Sequence, residues 1–102
     1  MTGDAGGMLL LQYLDARVPA TVMALKGTPR DILDAIGRRA QRHIVAHADE
    51  AMFGKGEAAR EAADAIVRAL AVLALTADGG VTFAGRHWCS TPPCQMCLAV
   101  AA

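Results

Sequence analysis

The residues able to do chemistry crowd into one stretch, His87-Trp88-Cys89-Ser90-Thr91-Pro92-Pro93-Cys94-Gln95-Met96-Cys97. All 3 cysteines and the single tryptophan of the chain lie in it, together with one of its 3 histidines. Thiolate and imidazole are the ligands that zinc takes most readily from proteins. The spacing lets them converge. Residues two apart on an extended strand point to the same side, so His87 and Cys89 share a face and Trp88 takes the other. Residues three apart on a helical turn share a face, so Cys94 and Cys97 converge too. Two such pairs form a closed tetrahedral set, which marks a structural rather than a catalytic zinc.

Other chemistries use parts of this pattern. Cys89-x4-Cys94-x2-Cys97 is the spacing of three ligands in plant-type iron–sulfur proteins, but that cluster takes a fourth cysteine and only His87 could stand in for it here. An iron–sulfur cluster is therefore the alternative cofactor, behind structural zinc. Cys94-x-x-Cys97 alone could form a redox pair, without the βαβ context that such pairs usually have. The bland alternative is three cysteines acting as small apolar core residues with His87 exposed. A cysteine at the start of a helix has a lowered pKa, which favours the metal-binding thiolate at Cys94. The pairing of a hairpin edge with a helix start resembles the second half of a treble-clef zinc finger in outline. His87-x-Cys89 stands where that finger has Cys-x-x-Cys, so no family is assigned on it.

A second group lies mid-chain. His43-Ile44-Val45-Ala46-His47 sets two imidazoles four apart, with Glu50 beside them. On a helix of 3.6 residues per turn they fall on the side of Ile32, Leu33, Ile36 and Ala40, so both are expected to project from the apolar face. His43, His47 and Glu50 form a possible second metal site, or a metal-dependent enzyme's open one. Packed core histidines are the plainer expectation. On the same segment Arg38, Arg39 and Arg42, with Arg30 upstream, give a basic side able to meet phosphates, diluted by Asp31, Asp34 and Asp49. It supports a DNA-binding regulator as the first functional alternative, helped by a C-terminal hairpin that could pass for a wing. No helix-turn-helix can be placed there.

The elements that must position these groups are read from periodicity and punctuation. Residues 1–7, with three glycines, are expected to be a flexible lead-in. Met8 to Arg17 reads as a short helix with Met8, Leu9, Leu11, Tyr13 and Leu14 apolar, ended or kinked by Pro19. Val18 to Lys26 continues it, closed by Gly27. Thr28 is placed as an N-cap with Pro29 at the first helical position, starting a helix that runs to Phe53. Gly54-Lys55-Gly56 stops it. A third helix spans Glu57 to Leu75 or Thr76, with Arg60, Asp64 and Arg68 four apart as an ion-pair ladder. Its half from Ile66 to Leu75 is apolar nearly all round, which demands burial on every side. A central position or a partner subunit would satisfy that, and a homo-oligomer or protein partner through this helix is expected. Ala77-Asp78-Gly79-Gly80 then turns the chain into a hairpin, Val81 to Phe83 and Arg86 to Cys89 about Ala84-Gly85. Thr91 and Pro92 open a last helical turn or two carrying Cys94 and Cys97.

Composition agrees. The 102 residues include 22 alanines against 4 aromatic residues, which suits closely packed helices in one domain. Lys plus Arg equals Asp plus Glu, 10 each, so no global field draws in nucleic acid or anionic lipid. The alanine, arginine and glycine bias suits a GC-rich bacterial or phage genome. The first twenty residues lack a basic start and a long apolar run, so no secretory signal is expected; Arg68 and Asp78 bracket the longest apolar run, so no membrane span is expected, and a cytoplasmic place is. Neither a Gly-rich phosphate loop nor a Gly-x-Ser-x-Gly elbow is present, which leaves an enzyme the less supported class. The expected fold is mainly α. A bundle of three to four helices (8–77) is followed by a C-terminal hairpin and a small zinc-knuckle-like site (78–102). The expected role is that of a metal-stabilised interaction or regulatory module.

Overall fold

The computed structural model describes residues 2–90 and 94–101, with side chains at 9–90 and 94–99. Four helices and one hairpin follow in the order α1 (Thr2–Leu25), α2 (Arg30–Phe53), α3 (Gly56–Thr76), β1 (Val81–Phe83), β2 (Arg86–Trp88) and α4 (Gln95–Ala101). The chain is thus mainly helical, with three long helices and a small antiparallel pair near the C-terminus. Among the described residues no helix is long and apolar enough to cross a membrane.

α1 departs from expectation in two ways. It is one helix rather than two pieces, and its backbone is helical from Thr2 through the segment expected as a lead-in. Glycine there costs helix propensity without forbidding the conformation. Pro19 sits inside the helix on its exposed side. Leu10, Leu14, Val18 and Val22, each four residues from the next, form the buried stripe. Packing that stripe on both sides of the proline outweighs its cost of about 3 kcal/mol. Leu10 faces inward while Leu9 is exposed, and Met8 lies outside the residues with described side chains. Lys26 and Thr28 close the helix by donating to the carbonyls of Val22 (3.1 Å) and Leu25 (3.0 Å), around a left-handed Gly27.

α2 starts one residue later than expected. Pro29, not Thr28, occupies the cap position, and its carbonyl accepts from Ile32 and Leu33 without any side-chain cap. α2 and α3 pack most extensively on one another, joined through Gly54 and Lys55, and α1 lies against both. α3 is the centre. Ile66 and Leu70 are fully enclosed, and Val67, Ala69, Ala71, Val72 and Ala74 are buried with them. Of the two positions open to such an apolar helix, the chain uses the central one. Its own α1 and α2 pack over it. The ladder of Arg60, Asp64 and Arg68 does not form among the described ion pairs. Asp64 instead accepts the Tyr13 hydroxyl of α1, which pushes the tyrosine pKa up, and the Arg17 guanidinium lies 4.4 Å over the Tyr13 ring.

Three contacts hold the hairpin end. Arg30 donates to the Thr76 carbonyl at 3.1 Å, satisfying one of the orphan acceptors at the end of α3. Arg86 reaches Asp15 of α1 at 3.1 Å. Trp88 is buried in the main core, with Val81 and Phe83 against its edge. The strands pair Val81 with Trp88, Thr82 with His87 and Phe83 with Arg86. Both residues of the connecting turn, Ala84 (φ 52) and Gly85 (φ 79), have positive φ, the conformation of a two-residue hairpin turn.

Gly80 is the tightest point. It has φ 86, and a Cβ there would stand 2.3 Å from the Trp88 carbonyl oxygen and 2.8 Å from Cys89 Cβ. Gly80→Ala is expected to lower stability by about 1–3 kcal/mol through overpacking and to displace Cys89. Thermal melts together with a metal titration check it, and an unaltered metal affinity would show that Cys89 is not held by this contact.

Candidate metal centre

The hairpin brings its own ligand pair to one side of β2 and its continuation. His87 is half-buried and Cys89 is 8% exposed, while Trp88 between them points into the core. The second pair comes from the entry to α4. Cys94 immediately precedes the helix, Leu98 donates to its carbonyl at 3.1 Å, and Cys97 follows one turn on. Thr91 and Pro92, expected to open this helix, lie outside the described residues.

The ligand atoms of His87, Cys89, Cys94 and Cys97 all lie within 4.8 Å of one another. His87 Nε2 is 3.2 Å from Cys94 Sγ, and Cys97 Sγ is 3.5 Å from the sulfurs of both Cys89 and Cys94. A tetrahedral zinc with bonds of about 2.3 Å to sulfur and about 2.0–2.1 Å to nitrogen has edges of about 3.5–3.8 Å. The four residues are close enough to bind a metal ion, with the two 3.5 Å sulfur separations near such edges and the 3.2 Å nitrogen–sulfur one slightly shorter. The 3 cysteines are reduced.

The surroundings favour the ligand forms. The Cys94 pKa falls from 9.0 to about 6, chiefly because the Cys97 backbone N–H donates to its sulfur, with the side chains of Cys97, Cys89 and His87 adding to this against the cost of desolvation. His87 Nδ1 is 2.8 Å from the Thr82 hydroxyl. With a metal on Nε2, Nδ1 would carry the proton and donate it to Thr82 Oγ1. This is the tautomer and the outer hydrogen bond that a metal-ligating histidine needs. Thr82 escaped the sequence reading. The signal was present, because a two-residue turn at Ala84-Gly85 places Thr82 directly opposite His87.

Thr82→Val removes only this hydroxyl. Outer partners of ligating histidines are worth about 10–100-fold in metal affinity, and Thr82 is exposed, so water can replace it and the lower end is expected. Competition against a chromogenic chelator measures the loss. An unchanged affinity would remove Thr82 from the site.

No protein family, characterised protein or solved structure matches this chain. The site therefore stands on its own geometry.

The other sequence candidates are placed differently. Among the described residues no other set of three or more histidine, cysteine or acidic side chains converges as these four do. His43, His47 and Glu50 do not form such a set. The two imidazoles stack at 6.0 Å with their planes 15° apart, His43 and Glu50 are exposed, and His47 is half-buried. The buried residues of α2 are Leu33, Ala40 and Ile44, so the true inner face is rotated away from Ile36 and Ile32, which are 45% and 48% exposed. Both histidines consequently sit at the rim, not on the apolar face. Arg38, Arg39 and Arg42 are exposed, and none of them is in an ion pair among the described residues.

Proposed function

We propose that this chain is a metal-stabilised interaction or regulatory module, in which His87, Cys89, Cys94 and Cys97 hold a structural zinc ion. The observation that carries it is the convergence of one imidazole and three thiols within 4.8 Å. Four protein ligands leave no coordination position for substrate or water, so the ion organises structure instead of catalysing a reaction. Sulfur-rich tetrahedral coordination selects zinc over the oxygen-seeking divalent ions. An iron–sulfur cluster fits less well, because one iron site would depend on His87. The interaction role draws support from apolar side chains left outside the core on α2, where Ile32 and Ile36 stand one turn apart and Val45 and Phe53 are 76% and 61% exposed. A second copy of the chain or another protein would use such a surface, since α3 is already covered.

Cobalt substitution tests the site. Tetrahedral cobalt with three thiolates absorbs strongly in the visible with a sulfur charge-transfer band in the near ultraviolet, and both are expected to saturate at one ion per chain. A weak pink spectrum of hydrated cobalt would contradict the proposal.

The exposed, unpaired Arg38, Arg39 and Arg42 favour a second reading, a contact to nucleic acid. It requires retention on nucleic acid that falls steeply with salt and is lost in the Arg38→Ala, Arg42→Ala double variant. No retention at low salt removes it.

A further inference from the structure

We propose that the same centre is an oxidation-released clasp. A hydroperoxide oxidises Cys94, Cys97 then closes a disulfide on it, and the metal leaves. The inference rests on the metal reading above and adds a regulation to it.

Geometry sets the order of events. Cys97 is the hub, with its sulfur 3.5 Å from both other sulfurs. A disulfide bond is about 2.05 Å long, so either closure asks for a movement of about 1.5 Å. Access separates the partners. Cys89 is 8% exposed, whereas Cys94 and Cys97 are half-buried. Two hollows flank the centre. One, of about 410 Å³, has Arg30, Thr76, Asp78, Gly79 and Ser90 among its walls and reaches Cys94 and the edge of Cys89. The other, of about 310 Å³, is lined mostly by the apolar surfaces of Pro19, Val22, Met23 and Trp88, with Lys26 and His87 also on its walls, and reaches Cys97 and Cys89. A small polar oxidant enters the first more readily, and meets Cys94 there as its more exposed sulfur.

The chemistry balances. The Cys94 thiolate attacks one oxygen of the hydroperoxide and breaks the O–O bond, and with one proton this gives Cys94 sulfenic acid and water when the oxidant is hydrogen peroxide. The Cys97 thiolate then attacks the Cys94 sulfur. The S–S bond forms, the hydroxyl leaves, and a second proton converts it to water. Two electrons have passed from the two thiolates to the peroxide. Only Cys89 and His87 remain as ligands, half of the four that a structural zinc takes, so the ion dissociates. A dithiol reductant reverses the bond, and added metal closes the site again.

The test uses the full chain loaded with zinc, hydrogen peroxide as oxidant, a chromogenic chelator to read free zinc, and peptide mapping by mass spectrometry. Release of one zinc per disulfide is expected, with the bridge at Cys94–Cys97. Dithiothreitol and fresh zinc should restore the loaded state. A cyclic 1,3-diketone present during oxidation should trap sulfenic acid at Cys94 and suppress the bridge. Zinc retained after peroxide overturns the proposal, as does release with only sulfinic acids or with a bridge that leaves out Cys97. Cobalt binding separates the two ideas. A chain that binds cobalt but survives peroxide keeps the metal site and loses the clasp, whereas a chain that binds no metal loses both.

Discussion

Removal of the metal is expected to free the hairpin and α4 while the three long helices stay assembled. Beyond Thr76, Trp88 and Cys89 are the only described residues that are buried. Two buried side chains cannot offset the ordering of about twenty residues at about 1–2 kcal/mol each. A structural zinc, with an apparent contribution of about 10–16 kcal/mol in small fingers, supplies a large part of the difference. The long helices do not depend on it, since Leu10, Leu14, Val18, Val22, Ile44, Ile66, Val67 and Leu70 form one buried cluster. Chelation should therefore shift the emission of Trp88, the single tryptophan, to the red while helical circular dichroism is largely retained. Loss of both signals together would show that the metal holds the whole fold.

Acid should act in the same direction. The Cys94 pKa is lowered in the folded chain, so its contribution to stability is present in full above the ordinary thiol value of 9.0 and is lost as pH falls through about 6. Metal binding follows the same sign, because the proton competes for each thiolate. A Trp88 emission that stayed constant from pH 8 to pH 5 in the loaded protein, with free zinc rising, would contradict the link between ion and clasp.

Leu70→Ala is expected to cost about 2–5 kcal/mol and to lower Tm by at least about 10 °C. Leu70 is fully enclosed in the middle of α3, where α1 and α2 both pack. Against a total stability of about 5–15 kcal/mol that is a large share. Arg68→Ala, two residues away but exposed, should stay within about 0.5 kcal/mol. The Leu70→Ala cost should not vary with protein concentration, because the chain's own helices cover α3. A Leu70→Ala cost that changes with protein concentration would mean that a second subunit contributes to this core.

The fold was legible where local rules and packing agree. Gly54-Lys55-Gly56 and Ala84-Gly85 mark their breaks because positive φ and extended backbone leave few residue choices, and the apolar run from Ile66 to Leu75 announced a buried helix. It was less legible where packing overrides a local rule. Pro19 looked like an end, yet the Leu14–Val18–Val22 stripe carries α1 through it. Ile32 and Ile36 drew the inner face of α2 towards themselves, and only the position of α3 shows that Leu33, Ala40 and Ile44 define it. His43 and His47 were misdirected by that rotation. The convergence of His87, Cys89, Cys94 and Cys97 was legible, because two-residue and three-residue spacings fix side-chain direction on a strand and on a helical turn. Gly80 was seen only as a turn residue. That its missing Cβ makes room for Cys89 depends on a contact nine residues away, which no local pattern encodes.

Metal analysis of the purified, desalted chain tests the central claim most directly. One zinc per chain is expected, falling to near zero in Cys94→Ser and unchanged in His47→Ala. Protein that carries no metal, refuses added zinc and still melts cooperatively with Trp88 buried would contradict it.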